Sequence, residues 1–189
     1  MSADGPFPVQ VLLSGCASFE DVQLFGSTLA RRGKVVMTSS AGESGDRIER
    51  EILIDAPIER VWSLVSEPGW WIGDGDRSGQ VVTREGDLIV VDDPRYGRYP
   101  VLPVSNDAPR YASYRGGDDP SQTPAEGTST LVEFFLTEQG DGTLLRVVES
   151  GFASLYPSAE RRAAAVEDNI EGWEMQLGFA KRDAERASV

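Results

Sequence analysis

Few residues of this chain have the types and spacing that enzymes most often use for catalysis. Histidine is absent, which removes the commonest general base and the commonest metal ligand. Cys16 is the only cysteine, so neither an internal disulfide nor a thiolate metal cluster is possible. The sequence also lacks a phosphate-binding glycine loop and a dinucleotide fingerprint. A triad built on a nucleophile and a histidine is therefore excluded.

One glycine-rich segment, 73–79, carries acids at alternate positions, as calcium-binding loops do. These acids are Asp74 and Asp76, but the later glutamate that completes a bidentate calcium site is missing at the required spacing. We therefore predict that the chain binds no metal and needs no cofactor. Trp70 and Trp71 directly precede this segment. They either form the rim of a cavity or divide between the core and the surface.

The elements that position these residues follow from hydrophobic periodicity. Alternation over 48–54 predicts a half-buried strand. Apolar residues three and four positions apart predict a helix that starts near Pro57 and ends at 67–69. Short segments rich in β-branched and aromatic residues predict four more strands, at 80–84, 87–92, 96–104 and 110–115. The segment 116–128 has the composition of a long loop.

The second half of the chain predicts a hairpin and then a long helix. Two apolar runs, 130–139 and 143–149, flank Gly140-Asp141-Gly142, which is typical of a tight hairpin turn. The second run is apolar on both faces, which predicts that this strand is covered on both sides. Residues 158–186 then have helical periodicity, with Ser158 as the predicted N-cap.

One apolar stripe runs along this last helix at steps of three and four residues, through Val166, Ile170, Trp173, Leu177 and Ala180. A stripe of this length must pack against an apolar surface, and the sheet is the only large one available. We therefore predict an α+β helix-grip fold, in which a curved antiparallel β-sheet wraps around a long C-terminal α-helix. The interior of such a fold is commonly lined by apolar and aromatic groups.

The composition excludes some partners. Acidic residues outnumber basic ones by 31 to 18, and the formal net charge is −13. Such a surface repels phosphate backbones and anionic membrane faces, so no nucleic acid is expected as a partner. No apolar stretch reaches the roughly 18 residues that suggest a membrane span, so membrane insertion is not expected either. With a single cysteine, these features predict a cytoplasmic protein.

The periodic signal starts at Ile48, which divides the chain into a predicted N-terminal extension, 1–46, and a folded domain, 47–189. Residues 38–45 are small and polar, as in a flexible leader. Three interpretations stay open for residues 1–36: a lipoprotein signal ending at Cys16, a small element docked on the domain, and a mis-annotated stretch upstream of a true start at Met37. The first is the weakest, because residues 1–10 lack Lys and Arg, whereas signal peptides begin with positive charge.

Several segments resemble one known superfamily. Residues 52–57 (ILIDAP), followed by Val61-Trp62, Pro68 and Trp70-Trp71, resemble the opening of the START-like SRPBCC superfamily, and most of all the branch named after the activator of the 90-kDa heat-shock protein ATPase. Residues 149–152 (ESGF) and 169–173 (NIEGW) resemble the last strand and last helix of that branch. The resemblance covers roughly 48–180. It implies the START/Bet v 1-like form of the helix-grip fold and a ligand-sized cavity.

In that cavity, aromatic side chains from several elements are the predicted wall. Trp62 and Trp173 lie on helix stripes, so a place in the core suits them equally well. The predicted pocket residues are Trp62, Trp70, Trp71, Tyr96, Tyr99, Phe134 and Trp173.

The resemblance leaves three functions open. The leading one is binding of a small lipophilic molecule. The second is catalysis, because relatives such as polyketide cyclases combine the cavity with a few Tyr, Arg and acidic groups, although we predict no individual catalytic residue and an enzyme is the less expected outcome. The third is binding of a protein partner, as in the co-chaperone that gives the branch its name, which requires a filled core and an exposed apolar patch. The side chains available for catalysis are Tyr96, Arg98, Tyr99, Tyr111, Tyr114, Arg115 and Glu133.

Overall fold

The computed structural model describes residues 45–116 and 121–186. Apart from Gly45 and Asp46, the predicted N-terminal extension lies outside the described residues. The described chain contains seven strands and three helices, which are β1 (Arg47–Ile54), α1 (Ile58–Val65), β2 (Val81–Glu85), β3 (Leu88–Asp93), β4 (Gly97–Asp107), β5 (Tyr111–Gly116), β6 (Leu131–Gln139), β7 (Gly142–Ser150), α2 (Phe152–Leu155) and α3 (Ala159–Glu185).

The strands form one antiparallel sheet in the order β1-β7-β6-β5-β4-β3-β2. Strands β2 to β7 follow one another as neighbours, while β1 pairs with β7 through a register that sets Arg47 opposite Ser150. The two edges of the sheet are therefore β1 and β2. Side chains such as Ile52, Phe134 and Leu145 mark the inner face, because they are buried under the helices.

Helix α3 packs on this inner face, mainly along β1, and α1 lies beside it over β6 and β7. Ser158 caps α3 as predicted, since its side chain accepts a hydrogen bond from the backbone N–H of Arg161 at 3.5 Å. A sheet that holds one long C-terminal helix against its inner face is the predicted helix-grip fold. Among the described residues, no helix is both long and apolar enough to cross a membrane.

The buried side of α3 is rotated relative to the predicted stripe. Trp173, Leu177 and Ala180 are buried as predicted, but Val166 and Ile170 are only half-buried. The line of buried residues also runs through Asn169 and Gln176. A prediction from hydrophobic periodicity alone leaves these two positions out of the buried face, because amide side chains count as polar.

The outer face of β7 is covered unevenly. Val148 is buried, with 2% of its surface exposed, whereas Leu144 and Arg146 are half-buried. Neighbouring side chains provide part of this cover, since the Arg146 guanidinium lies 4.4 Å from the ring centre of Phe135. The predicted coverage on both faces is therefore met in full only at Val148 on this side.

Candidate functional site

Four of the predicted pocket residues lie together inside the fold. Trp70 and Trp71 both contact the ring of Phe134, with ring centres 5.3 Å apart in each pair. Phe134 in turn contacts Trp173 at 5.8 Å, and Tyr114 contacts Trp71 at 5.2 Å. We call these five residues the aromatic cluster. All five are buried, so their rings pack between α3 and the inner face of the sheet.

The other three predicted residues do not join the aromatic cluster. Trp62 is half-buried on α1, and Tyr99 is half-buried opposite Val91; both pack against the core. Tyr96 lies in the turn between β3 and β4, where the Arg95 guanidinium is 5.5 Å from its ring centre. Burial and the nearby Asp74 raise the pKa of the Tyr96 hydroxyl. The structure thus places four of the seven residues in the aromatic cluster and three outside it.

A buried carboxyl group adjoins the aromatic cluster, and it was not among the predicted site residues. Glu149 is the second-to-last residue of β7 and has 1% of its surface exposed. Its Oε2 accepts a hydrogen bond from Nε1 of Trp173 at 2.6 Å, and its Oε1 bonds to the hydroxyl of Thr130 at 2.7 Å. Burial raises the pKa of this carboxyl, although the two hydrogen bonds act in the opposite direction. Glu149 does belong to residues 149–152, which resemble the last strand of the superfamily branch named above. No pattern in the sequence, however, indicates that its side chain is buried.

Three other buried polar atoms have no hydrogen-bond partner among the described residues: Nε1 of Trp70, Oδ1 of Asn169 and Oε1 of Gln176. Gln176 is nevertheless fixed, since its Nε2 donates to the carbonyl of Gly73 at 2.5 Å. This bond ties α3 to the segment after the two tryptophans. The interior therefore combines the aromatic cluster with a polar strip along α3.

The tyrosine, arginine and acidic groups considered for catalysis do not converge. Tyr114 points inward and donates to the carbonyl of Ser66 at 3.2 Å, and burial raises its pKa to about 12. Tyr111 instead bonds to Glu133 at 2.8 Å. In the pairing of β5 with β6, Tyr111 lies opposite Phe135 and Glu133 lies opposite Ser113. Both side chains are therefore on the face of the sheet opposite to Phe134. The sheet thus separates the inward tyrosine from the acid.

The acids of the calcium-like segment are engaged by an arginine. Both carboxylate oxygens of Asp74 accept hydrogen bonds from Arg95, at 2.9 and 3.0 Å. The backbone carbonyl of Asp76 accepts a third at 2.7 Å. The bidentate geometry is the one that a guanidinium forms with a carboxylate. This pairing explains the alternating acids without a cation.

A groove of about 580 Å³ opens at the β2 end of the sheet. It lies between the segment that follows α1 and the inner face of the β2–β3 hairpin, and we call it the edge groove. The strands contribute apolar surface through Val82 and Ile89. None of the seven predicted pocket residues lines it. Its lining is Ser66, Glu67, Pro68, Gly69, Arg77, Gln80, Val82, Thr83, Arg84 and Ile89.

Local packing fixes the wall of the edge groove. Gly69 has a φ of +114°, and a Cβ at this position would lie 3.5 Å from the methyl groups of Val91, so the chain passes closely over β3. Gln80 donates to the carbonyl of Ile72 at 3.1 Å and to Asp93 at 3.0 Å. Burial opposes ionisation of Asp93, but the bonds from Gln80 and from two backbone N–H groups lower its pKa. The groove wall is therefore built from groups that hold one another in place.

A second, smaller groove of about 360 Å³ lies between α1 and the end of α3. It shares Glu67 and Arg77 with the edge groove. Its remaining lining is Arg60, Ser63, Leu64, Asp183 and Ala184. Arg77 therefore stands where the two grooves meet.

No family model matches this chain, and no curated protein matches it. Solved structures do. Protein MLL2253 from Mesorhizobium loti superposes with a TM-score of 0.56 at 18% identity, over 76% of this chain and 99% of that one. The Aha1 dimer from Colwellia psychrerythraea gives a TM-score of 0.55 at 14% identity, over 76% and 98%.

DynU16, from the dynemicin biosynthetic locus, gives a TM-score of 0.55 at 18% identity, over 75% of this chain and 48% of that one. This chain thus spans about half the length of DynU16. Likenesses at such identities carry the fold and nothing more specific. They confirm the predicted helix-grip fold, which this chain shares with an Aha1 protein.

Proposed function

We propose that this protein binds a small lipophilic molecule in the edge groove. The observation that carries the proposal is a groove of about 580 Å³ in which Val82 and Ile89 provide apolar surface beside polar and charged side chains. Pockets for small molecules commonly have volumes of about 300–1,000 Å³, and this groove lies within that range. Val82 leaves 53% of its surface exposed, and a lipophilic ligand would remove this apolar surface from water.

The packing of the aromatic cluster favours the edge groove as the ligand site. The rings of the cluster contact one another, with ring centres 5.2–6.4 Å apart. A ligand there would have to displace close-packed rings, and separating packed aromatic side chains is costly. The edge groove needs no such rearrangement.

Two adjacent valines of β2 provide a matched test. Val82 lines the groove, whereas Val81 points to the opposite face of the same strand and is equally exposed, at 55%. We expect 1-decanol to bind the full chain in calorimetric titrations. Val82→Asp should weaken binding by about tenfold or more, because the ligand would bury a charge, while Val81→Asp should leave it unchanged. Equal affinities of the two variants would contradict the site, and no binding to the parent protein would contradict the function.

A protein partner is a second candidate, because β2 forms an edge of the sheet within the described chain. All five of its residues are exposed, including Val81 and Val82. An exposed edge strand presents unpaired backbone groups to which another strand can add. Since one structural neighbour is the Aha1 dimer, the first partner to test is a second copy. Sedimentation velocity should then show a dimer that Val81→Lys dissociates, and a monomer at every concentration would exclude self-association.

A further inference from the structure

Two arginines line the edge groove. Arg77 and Arg84 form no ion pair with any of the described residues, whereas Arg98 of β4 contacts Glu85 at 2.7 Å and Arg95 contacts both acids of the 73–79 segment. Three further described arginines also lack an ion pair, so the feature that sets Arg77 and Arg84 apart is their shared place in this groove. In a chain with net charge −13, the groove thus holds two guanidinium groups that no carboxylate binds among the described residues.

Both arginines belong to the lining of the edge groove. Arg84 lies on the inner face of β2, two residues after Val82 and in register with Ile89. Arg77 also lines the second groove. Arg60, which lines that second groove, has no ion pair among the described residues either. Two guanidinium groups and the apolar side chains of Val82 and Ile89 therefore line the same groove.

We infer that the ligand of the edge groove is an amphiphile with a carboxylate head, which Arg77 and Arg84 bind while its apolar body lies on Val82 and Ile89. The inference rests on the proposed function and adds the charge of the ligand to it. A guanidinium binds a carboxylate through two parallel hydrogen bonds, and such charge-assisted bonds are stronger than neutral ones.

The acidic surroundings limit what else the groove can take. The field of a strongly acidic protein repels anions, so selection for an anion must come from nearby cations. Glu67 lines both grooves, and its carboxylate opposes any further negative charge at their junction. A head with one negative charge therefore fits better than a dianionic phosphate.

The test compares decanoate with 1-decanol, which share an alkyl chain and differ in the head, by calorimetric titration into the full chain. Decanoate should bind about tenfold more tightly than 1-decanol, as a charge-assisted hydrogen bond predicts. The double variant Arg77→Gln/Arg84→Gln should reduce this ratio to about one while retaining the affinity for 1-decanol. The control Arg110→Gln/Arg161→Gln removes the same charge from exposed positions outside both grooves and should keep the ratio.

The possible results separate this inference from the proposed function. If 1-decanol binds as tightly as decanoate, or if the preference survives the groove double variant, the carboxylate head is refuted while lipophile binding stands. If the control variant loses the preference as well, overall charge and not the groove arginines selects the anion, and the inference is again refuted. If neither compound binds the parent protein, the proposed function and this inference fail together.

Discussion

Glu149 is an acidic side chain buried where no cation reaches it in the described structure. Its two hydrogen bonds come from Trp173 and Thr130, both uncharged groups. A buried carboxylate in this setting costs free energy when it ionises, since burial penalises the charged form. This cost is why the pKa of Glu149 is raised. The residue links β7 to α3 and to the residue that precedes β6, so its protonation state bears on the stability of the fold.

We predict that Glu149→Gln stabilises the protein more at pH 8 than at pH 4.5. A raised pKa means that the folded state holds the proton more tightly than the unfolded state. The stability tied to Glu149 is therefore complete below its ordinary pKa of 4.5 and is lost as the pH rises through the folded pKa. A tenfold difference in proton affinity between the two states corresponds to about 1.4 kcal/mol. Urea unfolding of both proteins from pH 4.5 to 8 measures the difference.

Glu185 provides a control, because its pKa is shifted in the opposite direction to that of Glu149. Burial alone would raise the pKa of its carboxyl, but bonds from Lys181 and from the backbone N–H of Asp55 outweigh burial and lower it. Its stabilisation is therefore complete above 4.5 and is lost as the pH falls through the folded pKa. Glu185→Gln should thus lose stability relative to the parent mainly at neutral pH. A difference between parent and Glu149→Gln that does not change with pH would contradict the account of Glu149.

Individual residues of the interior were only partly predictable from the sequence. Trp173 and Phe134 were predictable, because apolar residues at regular spacing mark a buried face. Asn169, Gln176 and Glu149 were not, because polar residues count as exposed in any periodic pattern. Their burial depends on partners from distant segments, such as the Gly73 carbonyl that accepts from Gln176. Long-range hydrogen bonds of this kind leave no local trace.

At the scale of elements, the 73–79 segment is held against α3 by close packing. Gly75 has a φ of +82°, and a Cβ at this position would overlap the ring of Phe179, with 2.7 Å to its Cγ. The whole ring would have to shift, because Cγ, the ring atom bonded to the Phe179 Cβ, already lies too close to the added Cβ. Phe179 is itself covered by Arg182, whose guanidinium lies 4.9 Å from the ring centre. The segment that forms one wall of the edge groove is thus anchored on the helix.

We predict that Gly75→Ala costs clearly more stability than Gly86→Ala. Both glycines have positive φ, +82° and +62°, but nothing lies within 4 Å of a Cβ at Gly86. Gly86→Ala should therefore cost only the free energy of placing a residue with a Cβ in a left-handed backbone conformation, about 1–2 kcal/mol. Gly75→Ala adds overpacking against the ring, typically about 1–3 kcal/mol. Urea unfolding compares the variants, and equal losses would show that the segment is not packed on Phe179 as described.

The elements themselves were largely predictable, and their order in the sheet was not. The predicted runs 130–139 and 143–149 correspond to β6 and β7, because alternation and a tight turn are local signals. The predicted run 80–84 corresponds to β2, but nothing in its sequence says that this strand forms an edge. Strand order depends on which segments meet in space. The edge groove forms where residues 66–69 meet the β2–β3 hairpin, and a contact between such distant segments could not be predicted from the sequence.

For the molecule as a whole, the aromatic cluster and the edge groove occupy different places. Four of the aromatic residues that the sequence predicted to line a pocket pack into the aromatic cluster. Composition cannot tell rings that line a cavity from rings that only pack against one another, since they are chemically the same. Arg77 and Arg84 lie in the edge groove at the β2 end of the sheet, where neither forms an ion pair with a described residue.

Because the edge groove lies apart from the aromatic cluster, we can predict which residues a ligand perturbs. In two-dimensional NMR spectra, saturating decanoate should shift backbone amide signals of β2, β3 and residues 66–80. The indole N–H signals of Trp70, Trp71 and Trp173 should move little, because close-packed rings do not readjust when the ligand stays outside them. Trp62, on α1, provides the remaining indole signal. Largest shifts at Trp173 would instead place the ligand among the aromatic residues, as the sequence alone suggested, and would require the cluster to open on binding.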